Sequence, residues 1–273
     1  MPKSNASDEA KLNYLKGKKA FEIGKFDDAL IELNKAFDFY KNSSENVVLA
    51  DIFRIFGAIF FNKGNMIESR NNYKKAYAAF KNFNQTIGMA DCYEQIALSF
   101  LLQNEFTHAE EYQQKANKIR ESTSDKKGLA RGLKNLAIII YKKDSKSELA
   151  LKYLEEATDL AKKGKDPQLL INILLDKAKI LNKLSNFDEA MDSVVIARRL
   201  SKQYSIKLPE DHEEEFGNLL LNMGMKYYDN GNLEESLKYL KNALLIFKTK
   251  NGQLVNTVEL LMKKIEQLIE KKA

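Results

Sequence analysis

In NLLLNMGMKYYDNGNLEESLKYLKNA, residues 218–243, an apolar run carries Gly224, a turn follows at Asn230-Gly231-Asn232, and two further small residues, Ser236 and Ala243, come after it. The same order returns along the chain. The first small residue recurs as Gly17, Gly57, Ala97, Ala137, Ala178 and Gly224. The second follows about 12 residues later, as Ala29, Ser69, Ala109, Ala150, Ala190 and Ser236. The third comes seven residues after that and is always alanine: Ala36, Ala76, Ala116, Ala157, Ala197 and Ala243. Between the first and second anchors lies a turn followed by an apolar residue, as in Gly24-Lys25-Phe26, Gly64-Asn65-Met66 and Ser185-Asn186-Phe187.

Two antiparallel helices joined by a tight turn pack closely only where small side chains meet at the crossing. The Gly or Ala of the first helix and the two small residues of the second supply those contacts. Phe60, Tyr73, Phe100, Phe106, Phe187 and Tyr227 fill the spaces between. Six ordered triplets at one period are far more than chance recurrence would supply. The pattern predicts an all-α chain of six helix pairs over 9–41, 47–82, 87–121, 127–164, 167–204 and 210–249, preceded by a disordered tail over 1–8.

Stop and start signals agree with that division. Gly164 suits the left-handed residue after a helix, Asp166 can cap the next, and Pro167 sits in its first turn. Asn251-Gly252 closes the sixth pair in the same way. One residue is inserted in the turn of the fourth pair, around Asp144 to Ser147. The connection before the sixth pair is longer and ends in Glu210, Asp211, Glu213, Glu214 and Glu215, which offset the positive end of a helix dipole. Beyond it, Leu254, Val258, Leu261, Ile265 and Leu268 recur at helical spacing. They predict a helix over 253–271 that caps the last pair, with a partner-binding tail as the alternative.

Composition narrows the function. Of 273 residues, 44% are hydrophobic, while only 12 Gly and 3 Pro occur, which favours long helices over short strands. The 44 basic and 38 acidic side chains are mixed along the chain, as on solvated helix faces, so no nucleic-acid partner is expected. Cys92 is the only cysteine, which excludes an intrachain disulfide and points to a reducing compartment. Met1 to Asp8 lack an apolar stretch of secretory type, and no run reaches the roughly 20 apolar residues of a membrane span. A cytoplasmic protein is expected. His108 and His212 are the only histidines and lie in different pairs, so neither a metal nor a cofactor is expected. Cys92 falls in an apolar helix, as a buried thiol would. No phosphate loop or catalytic constellation is present, and no enzyme activity is expected.

These anchors resemble the tetratricopeptide repeat family over about Glu9 to Lys250. Two features depart from it. The period is about 40 residues where about 34 is usual, and the family's tryptophan and closing proline are largely missing. The longer period is similar to that of LGN-type adaptors, kinesin light chains and bacterial Rap-type peptide receptors. The proline-kinked helices of HEAT and armadillo repeats are absent.

The resemblance implies a right-handed α-solenoid of six pairs plus the capping helix, with the first helix of each pair lining a concave groove. The candidate groove residues are Tyr14, Lys18, Phe21, Arg54, Phe61, Leu98, Arg131, Lys134, Asn135, Tyr141, Lys179, Asn182, Asn222 and Tyr228. Asn135-Leu136-Ala137 and Asn222-Met223-Gly224 look like the Asn-Leu-Gly pattern of the long-period families, in which the Asn holds an extended ligand's backbone. Arg131, Lys134, Lys142, Lys179 and Lys183 lie on adjacent first helices and favour a ligand of acidic character. The lysine, asparagine and arginine set that clamps a chaperone's terminal carboxylate is not found in register. The expected function is an adaptor or scaffold that binds a protein or peptide. The alternatives are a vesicle-fusion attachment factor similar to the soluble NSF attachment proteins, or a receptor for a signalling peptide.

Overall fold

The structure, a computed structural model, describes residues 3–41, 47–145, 148–249 and 254–271. Thirteen helices occur among them: α1 Lys3–Glu22, α2 Phe26–Tyr40, α3 Val47–Asn62, α4 Met66–Asn82, α5 Thr86–Leu102, α6 Phe106–Glu121, α7 Lys126–Lys143, α8 Glu148–Lys163, α9 Pro167–Lys183, α10 Phe187–Tyr204, α11 His212–Asp229, α12 Leu233–Thr249 and α13 Val255–Glu270. No strand occurs among the described residues, and none of the described helices is long and apolar enough to cross a membrane.

The chain forms two compact units, Met1–Asp144 and Ser145–Ala273. The division falls in the turn where the sequence inserts a residue. Elsewhere the turns inside a helix pair place one residue in the left-handed region: Gly24, Gly64 and Gly231 at φ +77°, Asn104 at 58° and Ser185 at 63°. Asp144 is instead extended, at φ −137° and ψ 102°.

Helix crossings use the small anchors as the spacing demands. All twelve anchors on the second helices, from Ala29 and Ala36 to Ser236 and Ala243, are 0% exposed. A Cβ on Gly17 would stand 2.6 Å from Leu33 Cγ, and one on Gly224 would stand 2.8 Å from Leu240 Cγ, so the helices approach too closely for any side chain there. Where the second anchor is serine, its hydroxyl donates to the carbonyl opposite: Ser69 to Gly57 at 2.9 Å and Ser236 to Gly224 at 2.7 Å. An alanine-sized residue thus also satisfies a buried polar group across the crossing.

Unit 1 has its core in Leu33, Ile52, Ile55 and Ile59, continued by Tyr73, Phe80 and Ile96. Unit 2 has its core in Leu181, Val194 and Leu219, continued by Leu240, Phe247, Val258 and Ile265. Val258 and Ile265 belong to α13, so the apolar stripe of that helix is turned inward and covers α12. Capping by the last helix therefore has a packing basis.

Three local expectations change. Helix α1 starts at Lys3, so residues 3–8 are helical where a disordered tail was expected; neither Gly nor Pro interrupts the chain between Lys3 and Lys16. After α8 the left-handed residue is Lys165, at φ 49°, one place beyond Gly164. Gly164 still donates to Leu160 O at 2.9 Å in helical fashion, so the turn closes one residue later. Asp166 caps α9 as expected, accepting from Leu169 N at 3.0 Å. The acidic run divides: Glu213, Glu214 and Glu215 occupy the first turn of α11, and Glu210 and Asp211 precede it. Asn251-Gly252 and residues 146–147 of the fourth turn lie outside the described residues.

Candidate functional site

In unit 1, polar rungs tie successive first helices together. Tyr14 on α1 donates its hydroxyl to Asp51 Oδ2 on α3 at 2.5 Å, and Arg54 donates Nε to Asp51 Oδ1 at 2.7 Å. Burial, then the bond to Asp51, raises the Tyr14 pKa, so the phenol remains a donor at any physiological pH.

A larger network joins α5, α6 and α7. Arg120, 1% exposed, donates Nη1 to Glu94 and donates Nη2 to Asp91 Oδ1 at 2.7 Å. Arg131 donates Nε to Glu94 Oε1 at 2.9 Å and Nη2 to the same Asp91 oxygen at 3.1 Å. Asp125 lies 3.6 Å from Arg120 Nε, so two guanidiniums stand among three carboxylates, and such pairing is the condition under which buried charge is tolerated. Burial alone would lower the Arg131 pKa; Glu94 and then Asp91 outweigh it and raise it. Two glycines of α7 make the room. A Cβ on Gly132 would lie 2.0 Å from Asn117 Oδ1, and one on Gly128 would lie 2.8 Å from Arg120 Nε.

In unit 2 the first helices meet through amides. Asn222 on α11 donates Nδ2 to Asn182 Oδ1 on α9 at 2.9 Å, and Asn182 is 6% exposed. Nearby on the same helices Lys179 binds Glu215 at 2.6 Å and lies 4.0 Å from Asp211. The hydrogen bond to Glu215 raises the Lys179 pKa against the opposing effect of burial.

The candidate residues therefore divide by what they already touch. Asp51 joins Tyr14 to Arg54, and Asn182 meets Asn222 directly. Arg131 and Lys179 have carboxylate partners inside the molecule, so two of the five cations that favoured an acidic ligand are neutralised. Phe21 leans on Phe26 at 6.1 Å and joins the core of the first pair. Tyr228 packs into the cluster completed by α13, with Lys264 Nζ 5.3 Å from its ring centroid. Lys18, Phe61, Leu98, Lys134, Asn135 and Tyr141 are half-buried on first helices.

The sequence reading missed Asp51, Asp91 and Arg120. A signal for Asp51 was present. Tyr14–Asp51 and Glu94–Arg131 are both 37 residues apart, because the residue three before one anchor meets the residue six before the next.

No family model matches the chain, and no curated protein matches it by sequence. Among solved structures it is similar to the apo form of RapI, with TM-score 0.69 and 16% identity over 96% of this chain and 99% of that one. Aspartyl phosphate phosphatase F from Bacillus subtilis is similar at TM-score 0.69 and 17% identity, over 96% of this chain and 71% of that one. A Rap protein complexed with competence and sporulation factor is similar at TM-score 0.62 and 12% identity, over 97% and 77% respectively. The fold is that of tetratricopeptide-type repeat proteins. At these identities the likeness carries the fold alone.

Proposed function

We propose that this chain is a non-catalytic interaction module that binds an extended peptide or protein segment along its first helices. On this reading residues 9–250 are six repeats of one helix pair, closed by the helix at 253–271. The observation that carries it is the amide pair of α9 and α11. The bond uses one proton of the Asn222 carboxamide and one lone pair of Asn182. Each carboxamide has two donors and two lone pairs, so the pair keeps capacity for a peptide backbone beside it. Asn135 stands at the corresponding place on α7, two residues before its small anchor. Within unit 1, Tyr141 and Leu98, both half-buried, offer apolar area for side chains of their own.

An acidic ligand is a narrower form of this proposal and rests on the exposed Lys142 and Lys183. The single cysteine supports a cytoplasmic setting. A receptor for a signalling peptide is the second reading, favoured by the likeness to a Rap protein complexed with competence and sporulation factor. An attachment factor acting through its last helix has less support, because α13 already buries its apolar stripe.

Affinity capture from native lysate, comparing wild type with a variant carrying Asn222→Ala together with Asn135→Ala and Tyr141→Ala, so that the first helices of both units are altered, tests the proposal. Partners lost with the variant, at unchanged helix content, support binding along the first helices. Partners retained in full remove that claim and move the functional surface elsewhere on the chain.

A further inference from the structure

His212 opens α11 and is 5% exposed, whereas the side chain of His108 is 57% exposed. The His212 ring lies nearly parallel to that of Phe216 one turn on, with centroids 6.3 Å apart at 12°. The same phenyl ring carries the Arg198 guanidinium of α10, 4.6 Å from its centroid. An imidazole and a permanent cation therefore share one aromatic side chain, the imidazole buried and the arginine side chain 40% exposed. Two nitrogens of this cluster are buried with no hydrogen-bond partner, His212 Nε2 and Arg198 Nη1.

The charges around the imidazole come from three helices and the connection before α11. Arg198 of α10 binds Glu213 at 3.3 Å, and Lys179 of α9 binds Glu215 at 2.6 Å and lies 4.0 Å from Asp211. Glu213, Glu215 and Asp211 thus each already face a cation. A neutral imidazole fits this arrangement. An imidazolium would set a second N–H without an acceptor beside Arg198, at the positive end of α11. Before it, residues 206–209 form no helix, and Ser205 is held at φ 53°.

We propose that the junction between α10 and α11 is an acid-sensitive joint, in which proton uptake by His212 releases the start of α11. Burial first, and Arg198 second, lower the pKa of the folded imidazole. The sign follows from linkage. Below the unperturbed imidazole pKa of about 6.5 the opened joint binds a proton that the closed joint resists. Stability is therefore full above about 6.5 and is lost as pH falls through it, and the opening constant rises by up to roughly tenfold one pH unit lower.

Amide hydrogen exchange and an NMR titration of the two imidazoles test this in the full chain. Between pH of about 7.5 and about 5.5, protection over residues 206–216, corrected for intrinsic exchange rates, is expected to fall by up to roughly tenfold, with α3 and α4 as reference. The His212 signal is expected to titrate below about 6.5. His212→Gln should make that protection independent of pH. Arg198→Met, which keeps an apolar stem over Phe216 and removes the like charge, should move the His212 midpoint upward. A His212 midpoint at or above about 6.5, or a loss of protection that persists in His212→Gln, overturns the proposal. Should His212→Gln fail to fold, the wild-type midpoint and its shift in Arg198→Met decide the matter alone.

Discussion

Glu94 sits 6% exposed between two arginines, and its carboxylate is what makes a fully buried Arg120 tolerable. Glu94→Leu removes that charge and leaves the guanidinium with Asp91 at 2.7 Å and Asp125 at 3.6 Å. The loss is expected to be about 1.5–3 kcal/mol in a urea titration, the range for losing a hydrogen bond to a charged group, since Arg120 keeps two carboxylates. A cost below about 1 kcal/mol would mean the network is solvated and contributes no more than a surface pair. Cys92 gives a second test at this scale. Burial pushes its thiol up to about 12, so in the native protein it should resist alkylation at neutral pH and react at once in denaturant. Reaction at equal rates in both conditions would place Cys92 outside the core. At the candidate site, Asn222→Ala should weaken ligand capture without altering helix content, because the amide is half-buried and touches mainly Asn182.

The helix crossings are legible in the sequence because they are set by size, and size is written in each residue. Ala116 is 0% exposed on α6, the helix that packs between α5 and α7. Ala116→Leu overpacks that position and should cost about 1–3 kcal/mol, read as a lowered melting point. An unchanged melting point would show that the small-residue register carries no packing constraint there. Turn chemistry was legible where glycine marked it, at Gly24, Gly64 and Gly231. It was misplaced at α8, where Lys165 takes the left-handed conformation beside an available glycine, because the last hydrogen bonds of the helix and not the residue preference set the closing position. The stripe of α13 was legible as amphipathic. Only its packing on α12 shows that Val258 and Ile265 are covered.

The clusters around Leu33 and Tyr73 lie within Met1–Asp144, and those around Leu181 and Leu240 lie within Ser145–Ala273. Repeat stability is a sum of local terms and nearest-neighbour interfaces, so damage in one unit should remain local. In Glu94→Leu, amide exchange is expected to quicken in α5 to α7 and to change by less than about twofold in α9 to α13. Equal acceleration throughout would show a single cooperative unit.

The sequence alone determined the helix content, the period, the placing of the small anchors and the class of fold, because those follow from side-chain volume and backbone preference repeated at one spacing. The tertiary structure decided which polar groups remain for a ligand. Arg131, Lys179 and Tyr228 read from sequence as open groove residues, yet Glu94, Glu215 and the cluster around α13 occupy them. A charge advertises its type in the sequence. Its partner is chosen by the offset between stacked helices, which places residues 37 apart side by side, and that offset exists only once the helices have packed.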